Sequence, residues 1–238
     1  MVTFDSSSKV VILTGAGVSA ESGVRTFRDN DGLWEDHRVE DVATPHAWVN
    51  DPYLVWRFYQ ERRRQLLSVD PNPGHFAITQ FEQYLGENFT LITQNVDDLH
   101  ERAGSKNVIH MHGELAKLRC EVCNFVGVYQ GSEHYEREFI PCSECGHETL
   151  RPHIVWFGEV PFEMGKIQEV VSNCEVFISI GTSGHVYPAA GLIEVAKSNS
   201  AHCIGVNLES PLNARYFDEF FQGKAGEILP PLVQKWIS

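Results

Sequence analysis

Residues 9–23, which read KVVILTGAGVSAESG, decide the fold of this 238-residue chain. Four apolar residues at 10–13 predict a short buried strand, because they form a continuous hydrophobic run that ends at a turn signal. The segment that follows fits the strand–GxGxx(G/A)–helix pattern of a dinucleotide-binding site, with the helix expected near 19–22. The alternative is a plain strand–turn–helix unit whose glycines only allow the turn.

Three small residues of this pattern have distinct predicted roles. Gly15 permits a tight turn, and Gly17 lets the backbone approach a pyrophosphate because no Cβ stands in the way. Ala20 is small enough for the following helix to pack against the sheet. The first N–H groups of that helix would then face the phosphates.

The composition indicates a globular chain with a substantial core, since 42% of the residues are hydrophobic and 21% are charged. The length suits one large domain or one domain with a small appendage. The net charge of −13 argues against nucleic acid as a partner, because phosphate binding needs clustered Lys and Arg. No stretch approaches the roughly 20 apolar residues of a membrane helix, and the N-terminus does not resemble a signal peptide. We therefore expect a cytoplasmic chain without a membrane partner.

Short apolar runs alternate with amphipathic segments along the rest of the chain. This alternation predicts an α/β fold with one Rossmann-like, doubly wound parallel sheet and helices on both faces. No second strand with an acidic end follows the glycine motif, which argues against an ordinary dehydrogenase. Pro45 and Pro52 are expected in the first turns of helices. The predicted strands are 89–93, 108–111, 176–180, 203–206 and the short run 228–229, and the predicted helical segments are 42–67, 75–85, 188–198 and 231–237.

Two CxxC pairs, separated by 18 residues, interrupt the α/β pattern. Four thiolates on two such knuckles give closed tetrahedral zinc coordination without a position for water, so the site is predicted to be structural. The segment is too short to bury a core of its own, and metal binding would supply its folding energy. Two disulfides or a redox CxxC are the alternatives. The predicted zinc ligands are Cys120, Cys123, Cys142 and Cys145, whereas Cys174 and Cys203 lie at apolar strands and are predicted to be buried free thiols.

His110 and His112 form an HxH pair at the end of a predicted strand. Alternate residues of a strand share one face, so a two-histidine metal site is conceivable, although no further ligand is evident. The simpler interpretation is one or two polar histidines at a strand end. His112 precedes a glycine at the sheet edge where a cofactor would lie, and there it could act as a general base at neutral pH.

Polar residues also follow two other predicted strands. Gln94, Asn95 and Asp97 could hydrogen-bond a ribose or a nicotinamide amide. Asn95 or Asp97 could equally cap the helix expected at 98–103, and both roles can coexist. Residues 181–183, Gly-Thr-Ser, form either a simple turn or a second contact to phosphate or ribose.

Tyr59 and Arg62 lie three positions apart on a predicted helix and therefore share a face. A phenol and a planar guanidinium together suit a carboxylate. Taken alone, such a pair more often consists of surface residues of a helix without a functional role.

The chain resembles the sirtuins, the NAD-dependent protein-lysine deacylases. The resemblance rests on motifs that follow the family's order across nearly the whole chain: GAGVSAESGVRTFR, TQNVDDLHERAG, HMHGEL, the two CxxC pairs, VWFGEVP, GTSGHVYPA and VNLE. Within the family it resembles the short bacterial CobB-type enzymes and the desuccinylase-like class. One departure is Asp29, since many sirtuins have glycine directly after the FR of the cofactor loop.

The resemblance implies a large Rossmann-like NAD-binding domain and a small domain, with NAD and an acyl-lysine peptide entering the cleft between them. The large domain would comprise residues 1–36, 75–114 and 152–238. The small domain would comprise the helical insert 37–74 and the zinc module 115–151. One structural zinc per chain, acylated proteins or peptides as substrates and a monomeric state are expected.

The resemblance also implies roles for individual residues. His112 would be the general base. Two segments would sandwich the substrate peptide as a strand, and their implied contacts are Val155, Phe157, Gly158, Glu159, Val160, Gly184 and Val186. The implied NAD contacts are Gly15, Ala16, Gly17, Ala20, Phe27, Arg28, Trp34, Gln94, Asn95, Asp97, Gly181, Thr182, Ser183, Asn207, Leu208, Glu209 and Ala225.

The resemblance also implies an acyl pocket, and it favours a carboxylate-binding role for Tyr59 and Arg62 over a position on the helix surface without function. Tyr-x-x-Arg at this place resembles the desuccinylase signature that receives the distal carboxylate of the acyl group, and Ala43 resembles the small residue that widens the same pocket. We therefore expect removal of acetyl and of succinyl or malonyl groups, with release of nicotinamide and O-acyl-ADP-ribose. The rival interpretations are an NAD-dependent dehydrogenase, a non-catalytic module that binds acyl-lysine or nucleotides, and a mono-ADP-ribosyltransferase.

Overall fold

The structure is a computed structural model that describes residues 4–24, 33–34, 37–129 and 139–238, with only the backbone described at 33–34. In chain order its strands are β1 Val10–Thr14, β2 Leu33–Trp34, β3 His37–Arg38, β4 Phe89–Thr93, β5 Val108–His110, β6 Gly113–Arg119, β7 Val126–Val128, β8 Arg151–Ile154, β9 Val176–Ile180, β10 His202–Asn207 and β11 Glu219–Gln222. Its helices are α1 Val39–Val42, α2 Pro45–Asn50, α3 Pro52–Leu66, α4 Pro73–Leu85, α5 Leu99–Ala103, α6 Met164–Ser172, α7 Leu192–Ser198 and α8 Ala225–Trp236.

The central sheet has six parallel strands in the order β11-β10-β9-β1-β4-β5. β1 lies in its middle, where Val10 pairs with Phe89 of β4 and with Val176 of β9. All five residues of β1 are buried, as expected for a parallel strand that is covered on both faces. The chain continues from β5 at one edge to β9 on the other side of β1. The switch in winding direction therefore lies between β1 and β9, where open α/β sheets bind ligands.

Side chains of β1 alternate between two hydrophobic layers. Val10 and Ile12 pack on one face of the sheet with residues of α4 and α8. Val11 and Leu13 pack on the opposite face with residues of α6 and α7. The prediction of a doubly wound α/β sheet is confirmed.

Two segments differ from the sequence prediction. Residues 16–18 and 20–22 form separate 3-10 turns instead of an α-helix. The run 228–229, predicted as a strand, lies inside α8, and the last strand is β11. The buried residues of α8 recur with helical spacing, and burial of that face outweighs Pro230 and Pro231 within the helix.

A third hydrophobic cluster joins α1, α2 and α3 to the antiparallel sheet β7-β6-β8. Pro45 and Pro52 lie in the first turns of α2 and α3, as predicted. The side chains of Thr44 and Asp51 accept backbone amides at the starts of these helices and so cap them. Among the described residues, no helix combines the length and hydrophobicity needed to span a bilayer.

Candidate active site

The glycine motif lies against the turn that follows β9. The amide of Gly15 donates to the carbonyl of Ile180 at 3.0 Å, and the amide of Gly17 donates to the carbonyl of Gly181 at 2.9 Å. A Cβ on Gly17 would lie 2.7 Å from the Cα of Gly181, which is closer than side chains tolerate. The glycines therefore allow two backbone turns to touch at the switch point of the sheet, a packing reason that the motif alone does not reveal.

Val18, and not Ala20, anchors this loop in the core. Val18 is buried in the hydrophobic layer of α4 and α8, whereas Ala20 is exposed. The prediction that Ala20 packs a helix against the sheet is wrong, because the segment forms two short 3-10 turns that leave position 20 exposed. Ala16, between the two glycines, is half-buried.

The turn after β4 lies next to the glycine motif. The amide of Gln94 donates to the carbonyl of Thr14 at 3.0 Å. The side-chain amide of Asn95 donates to the Ser19 hydroxyl at 3.1 Å, and its main-chain amide donates to Thr93 Oγ1 at 3.0 Å. These bonds bring the polar residues of two strand ends into one crevice.

Asp97 is buried at the start of α5. Its Oδ1 accepts the amide of Leu99 at 3.2 Å, so the predicted capping interaction is present, although Asp98 occupies the N-cap position itself. Burial raises the pKa of Asp97 to about 6, and hydrogen bonds from Leu99 and Ser19 oppose the rise. A buried carboxyl group whose pKa is raised towards neutral is a candidate for a functional site.

His112 follows β5 and has a defined tautomer. Its Nδ1 lies 3.1 Å from the carbonyl oxygen of Gln94. A carbonyl can only accept, so Nδ1 carries the hydrogen and Nε2 keeps its lone pair in the neutral ring. Burial lowers the pKa of His112, and the bond to Gln94 only partly opposes this. The imidazole is therefore neutral at pH 7 with Nε2 able to accept a proton, as a general base requires.

His110 is held by different interactions. Its Nε2 lies 2.6 Å from Glu101 Oε1, and its Nδ1 lies 3.4 Å from the carbonyl oxygen of Asn95. Burial would lower the pKa of His110, but the hydrogen bond and the charge of Glu101 outweigh it and raise the pKa. Within the described part of the chain, no metal-ligand cluster includes either histidine, so an ion pair accounts for His110.

The turns after β9 and β10 form the other side of the crevice. Thr182 Oγ1 lies 3.0 Å from Ser179 Oγ, and the side-chain amide of Asn207 donates to the carbonyl of Thr182 at 2.8 Å. Leu208 and Glu209 follow β10 as exposed residues. The predicted adenosine contacts on these two turns are therefore neighbours.

Other predicted NAD contacts are placed less favourably or are not described. The side chain of Ala225 is buried in the hydrophobic layer of α4 and α8, so only its backbone could face a ligand. Phe27 and Arg28 lie outside the described residues, and Trp34 is described only by its backbone.

Residues 155–160 connect the crevice to the small antiparallel sheet. The amide of Val155 donates to the carbonyl of His112 at 2.9 Å, and the amide of Phe157 donates to the carbonyl of Ala43 at 2.9 Å. The segment thus joins the predicted base to the predicted acyl pocket. Its exposed members are Phe157, Gly158 and Val160, while Gly184 of the second predicted peptide segment is half-buried and Val186 is exposed.

The carboxylate of Glu159 is engaged within the protein. It accepts hydrogen bonds from Arg119 at 3.1 Å and from Arg151 at 2.9 and 3.0 Å, and it accepts the amide of Trp156 at 2.8 Å. The sequence places these residues among unrelated motifs, so sequence reasoning missed Arg119 and Arg151. The only local signal is the RPHIVWFGE run, in which an arginine and a glutamate flank an apolar strand.

Tyr59 and Arg62 lie in and beside the third hydrophobic cluster. The Tyr59 side chain is 0% exposed, and its hydroxyl accepts a hydrogen bond from Trp156 Nε1 at 2.9 Å. The guanidinium of Arg62 lies 4.7 Å from the centre of the Phe58 ring, which packs edge-on against Tyr59. The Arg62 side chain is 13% exposed. The alternative of simple surface decoration is wrong. Ala43 belongs to the same cluster and is buried.

The four knuckle cysteines form one cluster, with all Sγ atoms within 4.8 Å of one another. Cys120 and Cys145 Sγ are 3.6 Å apart, and Cys123 and Cys142 Sγ are 3.5 Å apart. These separations exceed the roughly 2.05 Å of a disulfide bond, so the disulfide alternative is wrong. The arrangement fits a closed tetrahedral zinc site. The other two cysteines of the chain are buried free thiols, as predicted.

Comparison with known proteins agrees with this geometry. Residues 15–188 match the model of the Sir2 family. A protein named NAD-dependent protein deacylase from Pasteurella multocida (strain Pm70) is 52% identical over 231 residues, which cover 96% of this chain and 98% of that relative. A solved Sir2 homolog–NAD complex matches with a TM-score of 0.88 at 41% identity, covering 98% of this chain and 92% of the other. A mutant Sir2 homologue in complex with 2'-O-acetyl ADP ribose matches with a TM-score of 0.87 at 41% identity, covering 95% and 91%. The chain therefore belongs to the Sir2 family.

Proposed function

We propose that this chain removes acyl groups from lysine side chains of proteins and uses NAD as its co-substrate. The observation that carries the proposal is the hydrogen bond from His112 Nδ1 to the carbonyl of Gln94, in the same strand-end turn that supplies Asn95, because it leaves Nε2 as the atom that can accept a proton. Membership in the Sir2 family supports it. NAD, when bound, supplies an electrophilic ribose carbon and leaves as nicotinamide and O-acyl-ADP-ribose.

The residues of the crevice suit NAD in several ways. The glycine motif lies against the turn after β9 at the switch point of the sheet, which is where folds of this class bind the pyrophosphate of a dinucleotide. Asn95 and Asp97 are buried polar groups that would orient the nicotinamide and its ribose. Thr182 and Asn207 would face the adenosine half. His112 would accept a proton at Nε2 from the ribose hydroxyls, because Nδ1 is committed to Gln94.

The acyl pocket extends the proposal to succinyl and malonyl groups besides acetyl. Arg62 carries a positive charge on a largely buried side chain, and its guanidinium lies over the Phe58 ring, which packs against Tyr59. A guanidinium and a phenol together bind a carboxylate through charge-assisted hydrogen bonds. Ala43 leaves room because its side chain is a single methyl group. A pocket that admits succinyl need not exclude acetyl.

The substrate peptide would lie as a strand between residues 155–160 and 184–186, which flank His112 and the crevice. The zinc ion would be held by the four cysteines and would stabilise the module at 115–151 without taking part in the chemistry, since a closed Cys₄ site has no position for substrate. The cleft would lie between the large and small domains bounded as the sequence resemblance implies.

One assay tests the proposal and its rivals together. The purified protein is incubated with NAD and a peptide that carries acetyl-, succinyl- or malonyl-lysine, and nicotinamide, unmodified lysine and NADH are measured. Release of nicotinamide with an equal amount of unmodified lysine is expected. Formation of NADH would instead indicate a dehydrogenase, transfer of labelled ADP-ribose to protein would indicate a transferase, and peptide binding without turnover would indicate a binding module.

A further inference from the structure

A continuous series of contacts runs from the first cysteine knuckle to the predicted acyl pocket. It begins at Glu121, which lies between Cys120 and Cys123 in the sequence. Glu121 Oε1 accepts a hydrogen bond from Arg151 at 3.2 Å, and Glu121 Oε2 accepts one from Trp48 Nε1 at 3.1 Å. One carboxylate of the knuckle thereby joins helix α2 to strand β8.

Arg151 is the centre of the series. Its side chain is 3% exposed, and its guanidinium lies 3.4 Å from the centre of the Trp156 ring. Its two terminal nitrogens donate to the two carboxylate oxygens of Glu159 at 2.9 and 3.0 Å, and one also donates to the carbonyl of Ile154 at 3.1 Å. A bidentate pair combined with stacking on an aromatic face allows one orientation of the guanidinium.

Trp156 transmits this orientation to the pocket. Its main-chain amide donates to Glu159 Oε2 at 2.8 Å, so both its backbone and its ring are held by the pair of Arg151 and Glu159. Its indole Nε1 donates to the Tyr59 hydroxyl at 2.9 Å. The indole therefore sets where the phenol oxygen lies.

We propose that Glu121 and Arg151 are positioning residues of the acyl pocket, which fix the indole of Trp156 and, through it, the hydroxyl of Tyr59. The inference rests on the proposed role of Tyr59 in binding a carboxylated acyl group. Glu121 and Arg151 act through Trp156 and do not themselves contact the substrate. Selection of the acyl group then depends on a residue of the metal-binding module, although the module takes no part in the chemistry.

Glu121→Ala is the first test, because it removes both contacts of the knuckle carboxylate and changes no metal ligand. KM for a succinyl-lysine peptide should rise about fivefold, since a half-exposed ion pair is lost, while kcat stays within about twofold. Zinc content should remain at one ion per chain. Glu121→Gln keeps one acceptor oxygen, which can serve Arg151 or Trp48 but not both through separate oxygens, and should restore only part of the affinity. Glu144→Ala, which removes the glutamate between the two cysteines of the second knuckle, is the control and should leave KM unchanged.

Two measurements distinguish positioning from a general loss of stability. In a Tyr59→Phe background, Glu121→Ala should not change KM for the succinyl peptide further, because the indole then has no hydroxyl to place. Fluorine NMR of protein labelled with 5-fluorotryptophan gives one resonance for Trp156, which is assigned by its absence in Trp156→Phe. The chemical shift of this resonance should change when Glu121 is replaced by Ala. An unshifted resonance, or the same KM change in the Tyr59→Phe background, would overturn the inference. If the wild-type protein releases no succinyl group, the proposed acyl selection has failed, and the fluorine shift alone decides whether Glu121 positions Trp156.

Discussion

Gln94 and His112 are joined by a hydrogen bond of 3.1 Å, from the imidazole Nδ1 to the main-chain carbonyl. The two residues follow neighbouring parallel strands, β4 and β5, whose register pairs Thr93 with His110. The register of the sheet therefore decides which carbonyl meets the ring. Because that carbonyl fixes the tautomer, the basic atom of His112 is a consequence of strand pairing.

Replacement of His112 by Ala should lower kcat for deacylation by about 10²- to 10⁴-fold, the usual contribution of a general base. NAD affinity, measured by calorimetry, should change little, because the proposed role of the ring is to accept a proton and not to hold the cofactor. His110→Gln is the control, since His110 is engaged by Glu101, and it should retain most of the activity. Activity of His112→Ala at the wild-type level would remove His112 from its role.

The pH dependence of kcat/KM should follow from the lowered pKa of His112, which burial causes. A base must be deprotonated to act, so activity should fall only below an apparent pKa that lies beneath the ordinary histidine value of about 6.5. The profile of kcat/KM between pH 5 and 8 checks this. A midpoint at or above the ordinary value would mean that another group titrates or that the ring is more solvated than the structure indicates.

Arg62→Met should separate the acyl substrates. Methionine retains a side chain of similar length against Phe58 but has no charge for a carboxylate. Loss of one partner of a desolvated charge pair costs about 2–5 kcal/mol, so kcat/KM on a succinyl-lysine peptide should fall roughly 30-fold or more. The value on the acetyl-lysine peptide should fall by no more than about threefold, because no charge contacts that acyl group. Arg64→Met, an exposed position of the same helix, is the control, and equal losses on both peptides would contradict the carboxylate role.

Local sequence patterns predicted the parts of the molecule that depend on local physics. The apolar run at 10–13 is β1, because a central parallel strand must be apolar on both faces. The CxxC spacing predicted the cysteine cluster, since tetrahedral coordination restricts how two knuckles can meet. His112 could be singled out because a histidine at a strand end in a parallel sheet lies where ligands bind.

Contacts between distant residues were not predictable in the same way. Ser19 and Asn95 are 76 positions apart, and Tyr59 and Trp156 are 97 positions apart, so no local pattern names the partner. The GxGxxA pattern suggested a helix that Ala20 would pack, yet the chain needs the short turns to bring Val18 into the core. Residues 228–229 were predicted as a strand, but burial of one face of α8 places them inside that helix.

Removal of zinc should unfold the small antiparallel sheet before the central sheet. Without zinc, the two knuckles lose the ion that links their four cysteines. The hydrophobic layers around β1 do not depend on the metal and keep their own packing. Hydrogen exchange monitored by mass spectrometry should show loss of protection in β6, β7 and β8 after chelation, with β1 and β9 still protected. Cys123→Ser should give the same pattern, and unchanged exchange of β6 after complete zinc removal would contradict a structural role.

Acid should destabilise the fold through His75, which is buried beside His100 under the crevice. Burial lowers the pKa of His75 to about 4, so the unfolded chain binds more protons than the folded one below about pH 6.5. This histidine's contribution to stability is complete above that pH and is lost as the pH falls towards 4. At pH 5 the free energy of unfolding should be lower by about 2 kcal/mol for this residue alone. His75→Gln keeps an acceptor for the amide of Asn72 and should flatten the loss between pH 7 and 5 in urea titrations.

Asp97→Asn should stabilise the protein at alkaline pH while impairing catalysis. Burial raises the pKa of Asp97 to about 6, so between pH 4 and 6 the folded chain holds a proton that the unfolded chain has released, and stability falls as the pH rises through this window. Asparagine can still accept the amide of Leu99 but carries no charge to bury. The free energy of unfolding at pH 8 should therefore rise by about 2–3 kcal/mol, with little difference from wild type at pH 4. Nicotinamide release should slow in the same variant, because the proposed role of the carboxylate is to orient the nicotinamide. A variant that is less stable than wild type at pH 8 would mean that the charge of Asp97 is compensated in the fold, and an active, more stable variant would remove Asp97 from the cofactor site.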